Sequence, residues 1–157
     1  MVRLAGLAET DADAEAKVRA ALASGAGLEK FRRVVEQQGG DPRIVDDDGR
    51  LPRAPKHSAI TADRGGYVTD LHAEWVGIGA MRLGAGRNRA EDAVDHAVGV
   101  IVRAHVGEQV KAGDAILEVH YRDEGSLAAA LPMLQQSVTV ADEEPPAREL
   151  VLEAIRD

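Results

Sequence analysis

The stretch from Val98 to Glu124, VGVIVRAHVGEQVKAGDAILEVHYRDE, decides the fold. Its apolar residues come in short runs rich in Val and Ile, broken at Gly107 and at Lys111-Ala112-Gly113-Asp114. Short apolar runs bounded by turn residues read as buried strands. The spacing predicts strands over Val98 to His105, at Val110, and over Ala115 to Tyr121. Upstream, Gly65-Gly66-Tyr67-Val68 repeats this pattern and predicts a short strand from Ile60, a glycine turn, and a strand from Tyr67 to His72. The expectation is a small, twisted β-domain.

Helical signals surround it. Thr10 with Asp13 three residues on is a shortened capping box, and Ala14, Val18, Ala21 and Leu22 follow at helical spacing up to Gly25. A second helix is expected from Leu28 to Gln38, with Phe31, Val34 and Val35 inward, stopped by Gly39-Gly40 and Asp41-Pro42. The pair should form a helical hairpin. Residues 41–58, with Pro42, Pro52, Pro55 and Asp46-Asp47-Asp48-Gly49, read as a surface connection with little regular structure. Ala73 to Leu83 reads as a short buried helix, followed by a polar loop from Gly84. A last helix is expected over Leu127 to Gln136, kinked or broken at Pro132. Val138 and Val140 alternate as in a strand, and residues 150–155 read as a closing strand or short helix. The sum is an α+β arrangement, with domains over residues 1–58 and 59–157.

Composition narrows the function. Nineteen basic against 27 acidic residues give a net charge of −8, which disfavours nucleic acid and anionic membranes as partners. No run of ~18 apolar residues and no signal segment points to a membrane. The absence of cysteine excludes disulfides, a thiol nucleophile and a thiolate metal site. A cytoplasmic protein is expected.

Several segments carry residue types suited to chemistry. Gly84-Ala85-Gly86-Arg87-Asn88-Arg89 looks like a phosphate cradle but lacks both the GxGxxG spacing and the GK[ST] ending. Glu91, Asp92, Asp95 and His96 include types that serve a hard metal or a general base, without the alternation of a cation loop. Asp92 and Asp95 read instead as caps on backbone amides around Ala93 to Val98. His57, His72, His96, His105 and His120 form no HxH or HxxxH pair. Asp46-Asp47-Asp48-Gly49 lacks the following bidentate Glu of a calcium loop and reads as a solvated turn. None of Ser24, Ser58, Ser126 and Ser137 sits in a GxSxG elbow. No catalytic, substrate-binding or metal-ligating residue is assigned, and no cofactor is expected.

Biotinyl and lipoyl carrier domains share the Gly-Xaa-Val strands and Gly-Asp turns seen at Gly66-Tyr67-Val68, Gly99-Val100-Ile101, Gly107 and Gly113-Asp114. They also need a lysine at a hairpin tip. The lysines here are Lys17, Lys30, Lys56 and Lys111, and Ala80-Met81-Arg82-Leu83 places arginine where a carrier's acceptor would stand. A carrier reading survives only through Lys111.

The ordered set of motifs resembles the C-terminal part of the thymidine and pyrimidine-nucleoside phosphorylases. Met1 to Ala8 is similar to a buried strand of that family. Phe31 with Val34-Val35-Glu36-Gln37-Gln38-Gly39-Gly40-Asp41-Pro42 resembles the helix and break that follow. Gly65-Gly66-Tyr67-Val68, Gly77 to Met81, Leu83 to Arg87, Asp95 to Gly99, then Gly107, Val110, Gly113 and His120-Tyr121-Arg122-Asp123 agree in order.

The resemblance implies a helical remnant of a large α/β domain over residues 1–58. After it comes an α/β-hammerhead module with a barrel-sandwich-like β-core. It implies reversible phosphorolysis of pyrimidine nucleosides to base and (deoxy)ribose 1-phosphate in the whole enzyme, a homodimer. The phosphate-binding and base-binding residues of the family lie upstream of the matching segment, so the catalytic region would be this chain's partner. On that reading the chain alone is inactive, whether a natural truncation or a piece of a longer gene. The alternatives are a stand-alone binding or scaffold module and the equivalent part of an AMP phosphorylase.

Overall fold

The computed structural model describes residues 1–87, 89–147, 151–153 and 155. The chain divides into two compact units, Met1–Leu51 and Pro52–Asp157. Most of residues 150–155, expected to close the fold, lies outside the described residues or carries no regular structure.

The first unit holds helices α1 (Asp11–Ala23) and α2 (Ala26–Gln37). Thr10 caps α1 as its sequence predicts, its hydroxyl accepting from Asp13 N–H at 3.1 Å; such a cap contributes about 1 kcal/mol. Gly25, at φ 76°, turns the chain directly into α2. Arg32 of α2 then holds Asp46 through two 2.7 Å bonds and reaches the Pro42 carbonyl. That contact orders the stretch read as an irregular connection. Pro42–Val45 and Asp48–Arg50 are short 3-10 turns, capped by the side chains of Asp41 and Asp47.

One expectation for this unit fails. Residues 1–8 form turns rather than a buried strand, with Leu7 N–H bonded to the Val2 carbonyl and Met1 and Leu4 almost fully exposed. A strand needs a ladder partner for its backbone groups, and these residues satisfy theirs locally. No residue of 1–51 is buried.

The second unit contains β1 (Lys56–Thr61), β2 (Gly66–Leu71), α3 (Ala73–Ala80), β3 (Gly99–Val102), β4 (Gln109–Val110), β5 (Ala115–Tyr121), α4 (Glu124–Gln136) and β6 (Val138–Ala141). Its class is α+β, as the sequence predicts. The strands build two three-stranded antiparallel sheets, ordered β1-β5-β3 and β4-β2-β6. β1 begins before Ile60, so a cut between residues 58 and 59 passes through it.

Ile60, Val68, Ile116, Leu117, Val119, Leu127 and Leu134 join one core. Each such side chain stabilises by about 1.5–3 kcal/mol when fully buried. Past α3 a π-helical turn begins at Met81 and is interrupted at Gly84, whose φ of 106° is not helical. α4 runs from Glu124 to Gln136 through Pro132, so the helix does not break there. Its buried residues Leu127, Ala130 and Leu134 lie on both sides of the exposed proline and hold the helix to the core.

Two turns match each other closely. In residues 105–108, Glu108 accepts from His105 N–H through its carboxylate, and Gly107 takes φ 94°. In residues 111–114, Asp114 does the same for Lys111 N–H, and Gly113 takes φ 90°. The first turn pairs in both directions with the backbone of buried Val68, the second with that of buried Ala62. An acid closing the turn and a glycine free to take positive φ are what the sequence needs here. No helix among the described residues is long and apolar enough to cross a membrane.

Candidate functional site

The segments singled out for chemistry are occupied by structural bonds. Asp95 forms an ion pair with Arg122 and accepts from Ala97 N–H at 3.0 Å. The Arg122 guanidinium, helped by that amide, holds the Asp95 carboxyl below its usual range. Asp92 accepts from Arg89 N–H at 2.9 Å. Asp95 therefore caps an amide within the expected stretch, Ala93 to Val98, whereas Asp92 caps one upstream of it; Glu91 and His96 stay exposed.

No helix begins within the described residues of 86–98, so the Gly84 loop gives an anion no helix N-terminus. Its Gly84 carbonyl instead accepts from Asp95 N–H. In the first unit Asp46 is held low in pKa by Arg32, and Asp47 caps a 3-10 turn, so that acidic run is a turn. The hydroxyls of Ser126 and Ser137 donate to backbone carbonyls.

The carrier geometry is absent at the two positions that raised it. Arg82 lies in the π-helical turn after α3. Lys111 lies between β4 and β5, which belong to different sheets, so its turn is no hairpin tip.

One constellation escapes linear spacing. β1 and β5 pair so that His57 stands directly across from His120, and Glu118 lies two residues earlier on β5. Alternation puts these three side chains on one face of the β1-β5-β3 sheet. Glu118 Oε1 lies 2.7 Å from His120 Nε2 and 3.9 Å from His57 Nδ1. The two imidazole rings tilt against each other with centroids 4.2 Å apart. Glu118 Oε2 accepts two bonds from Arg103, at 2.8 and 2.6 Å. The Arg103 contact first, then His120, holds the Glu118 carboxyl below its usual range against the effect of burial.

Sequence spacing alone places only Glu118 and His120 together; His57 joins them through strand register. Beside His120 lies a shallow depression of about 260 Å³, lined by residues 97–101. Gly99, the ladder partner of His120 on β3, adds no side chain to it. A second groove, of about 480 Å³, lies among β1, α4 and β6, with Asp63 its one charged lining residue.

What the geometry defines is a mixed α+β module, closed by structural ion pairs and showing no nucleophile–base pair among the described residues. Residues 67–141 match the family described as Pyrimidine nucleoside phosphorylase C-terminal domain. The chain is also similar to the Pyrimidine-nucleoside phosphorylase of Staphylococcus aureus strains USA300, NCTC 8325 and COL. Each is 39% identical over 142 residues, which is 90% of this chain and 33% of the relative. Residues 67–141 thus carry the likeness to that C-terminal domain, and the likeness to these relatives extends over most of the chain. It spans about a third of the length of the curated relatives it matches.

Proposed function

We propose that this chain serves as the C-terminal portion of a pyrimidine-nucleoside phosphorylase and is inactive by itself. The observation that carries this reading is the coverage: 90% of the chain aligns at 39% identity, yet only a third of the relative is spanned. The first unit, Met1–Leu51, would then continue an α/β domain whose remainder lies upstream. The exposed Leu28, Phe31 and Val34 on α2 support this, as apolar surface that a larger domain would cover.

The whole enzyme would catalyse reversible phosphorolysis of a pyrimidine nucleoside. Phosphate attacks the anomeric carbon, the glycosidic bond breaks, and the base leaves with the bonding electrons. Such a reaction needs phosphate held in line and negative charge on the base stabilised. On this reading both functions belong to the upstream region, and the second unit would form a wall of the cleft rather than its chemistry. A homodimer formed through upstream helices and a cytoplasmic setting belong to the same proposal.

The test is direct. Pure 157-residue protein, incubated with phosphate and thymidine or uridine, should release no free base. Turnover should appear when the upstream region of a phosphorylase is supplied in the same chain or in trans. Release of base by the chain alone would overturn the inactivity. No rescue by the upstream region would overturn the assignment as part of this enzyme.

A further inference from the structure

We propose that His57, Glu118 and His120 form a binding site for a divalent transition-metal cation of the zinc and nickel class. One donor atom from each residue lies within 4.8 Å of the other two. A tetrahedral cation with bonds of about 2.0–2.2 Å needs its donors roughly 3.3 Å apart. The 2.7 and 3.9 Å separations from Glu118 Oε1 bracket that value. His57 is exposed, with 54% of its side chain accessible, which leaves its ring room to turn toward the shorter distance.

The donor set fixes the class of ion. Two imidazole nitrogens and one carboxylate oxygen suit zinc, nickel or copper, whereas calcium and magnesium require oxygen throughout. Arg103 takes Glu118 Oε2 and leaves Oε1 facing the imidazoles, the orienting role that outer partners play at metal centres. Three protein ligands leave a fourth position open. The depression beside His120, to which Gly99 adds no side chain, gives water or a small anion room there.

The scaffold is also suitable. His57 and His120 sit on adjacent strands in direct register, so their backbone positions are set before any ion arrives. β1 is an edge strand of its sheet, and a cation bridging His57 to His120 would fasten it to β5. This inference is independent of the phosphorolysis assignment.

The experiment is calorimetric titration of the chelator-treated 157-residue protein with zinc chloride and nickel chloride in non-coordinating buffer. Amide exchange of β1 is followed in parallel. One-to-one binding is expected, with slower exchange across β1. His57→Ala, His120→Ala and Glu118→Gln should each weaken binding by about tenfold or more, whereas His105→Ala should leave it unchanged. Should His120→Ala fail to fold by circular dichroism, the exposed His57→Ala decides alone. The proposal is overturned by no saturable binding below millimolar metal, or by affinity unchanged in His57→Ala.

Discussion

Gly79 of α3 lies so close to Leu134 of α4 that a β-carbon at Gly79 would stand 2.4 Å from Leu134 Cδ2 and 2.7 Å from its Cγ. Leu134 is fully buried and has no space into which to retreat. The glycine that weakens α3 as a helix is what lets the two helices meet.

Gly79→Ala therefore sets two effects against each other. Helix propensity favours alanine by about 1 kcal/mol, while overpacking a filled core costs about 1–3 kcal/mol. The clash reaches the branch point of Leu134 and not only a methyl tip, so packing wins. A net loss of about 1–2 kcal/mol is expected in urea denaturation. In a double-mutant cycle, Gly79→Ala with Leu134→Ala should cost less than the sum of the two singles. Additive costs would refute the contact.

Gly66→Ala should cost more than Gly107→Ala. Both glycines take positive φ, at 153° and 94°. A β-carbon at Gly66 would also stand 2.4 Å from the Ala141 carbonyl oxygen, whereas one at Gly107 meets nothing within 4 Å. Strain alone costs on the order of 1–2 kcal/mol; forcing β6 from β2 adds ladder hydrogen bonds to the loss. Thermal midpoints in the opposite order would contradict this ranking.

Acid should destabilise the second unit through its paired carboxylates. Asp95, held low by Arg122, Glu118, held low by Arg103, and Asp123, held low chiefly by Ser126 N–H, all bind protons more readily when unfolded. Their stabilisation is complete above the ordinary carboxylate range and is lost as pH falls through the depressed values. The thermal midpoint should therefore fall as pH drops below the ordinary carboxylate range. Asp95→Asn should flatten that drop, and an unchanged profile would remove Asp95 from the account.

Pro132→Ala should stabilise the chain. Proline inside a helix removes one backbone bond and crowds the preceding turn, at a cost of about 3 kcal/mol in exposed helices. Part of that gain is offset because alanine loosens the unfolded chain. A rise of about 1–2 kcal/mol in urea melts is expected; a fall would mean that the proline ring packs usefully.

The features visible in the sequence are the local ones. Thr10 and Asp13, the Gly107 and Gly113 turns with their closing acids, and the Val-rich strands all depend on neighbours a few residues away. The features that escaped depend on register and packing. His57 meets His120 only because β1 pairs with β5 in one particular alignment, and periodicity within a strand says nothing about which strand lies beside it. Pro132 carries a local signal for a break that the buried stripe of α4 overrides. The 3-10 turns capped by Asp41 and Asp47 lie in a stretch read as irregular, and Arg32, which ties Asp46 to α2, is reached only in three dimensions.

The strand β1 lies ahead of residues 67–141, the segment that matches the family. Nevertheless, Ile60 of β1 is buried, and every residue of this strand faces a partner on β5. A protein trimmed to the matched segment would turn β5, with its apolar Ile116, Leu117 and Val119, into an open border carrying unpaired amides. Borders of that kind recruit strands from other molecules. The smallest piece worth expressing by itself thus starts near Pro52; one starting at Tyr67 invites aggregation however faithfully it follows the family's outline.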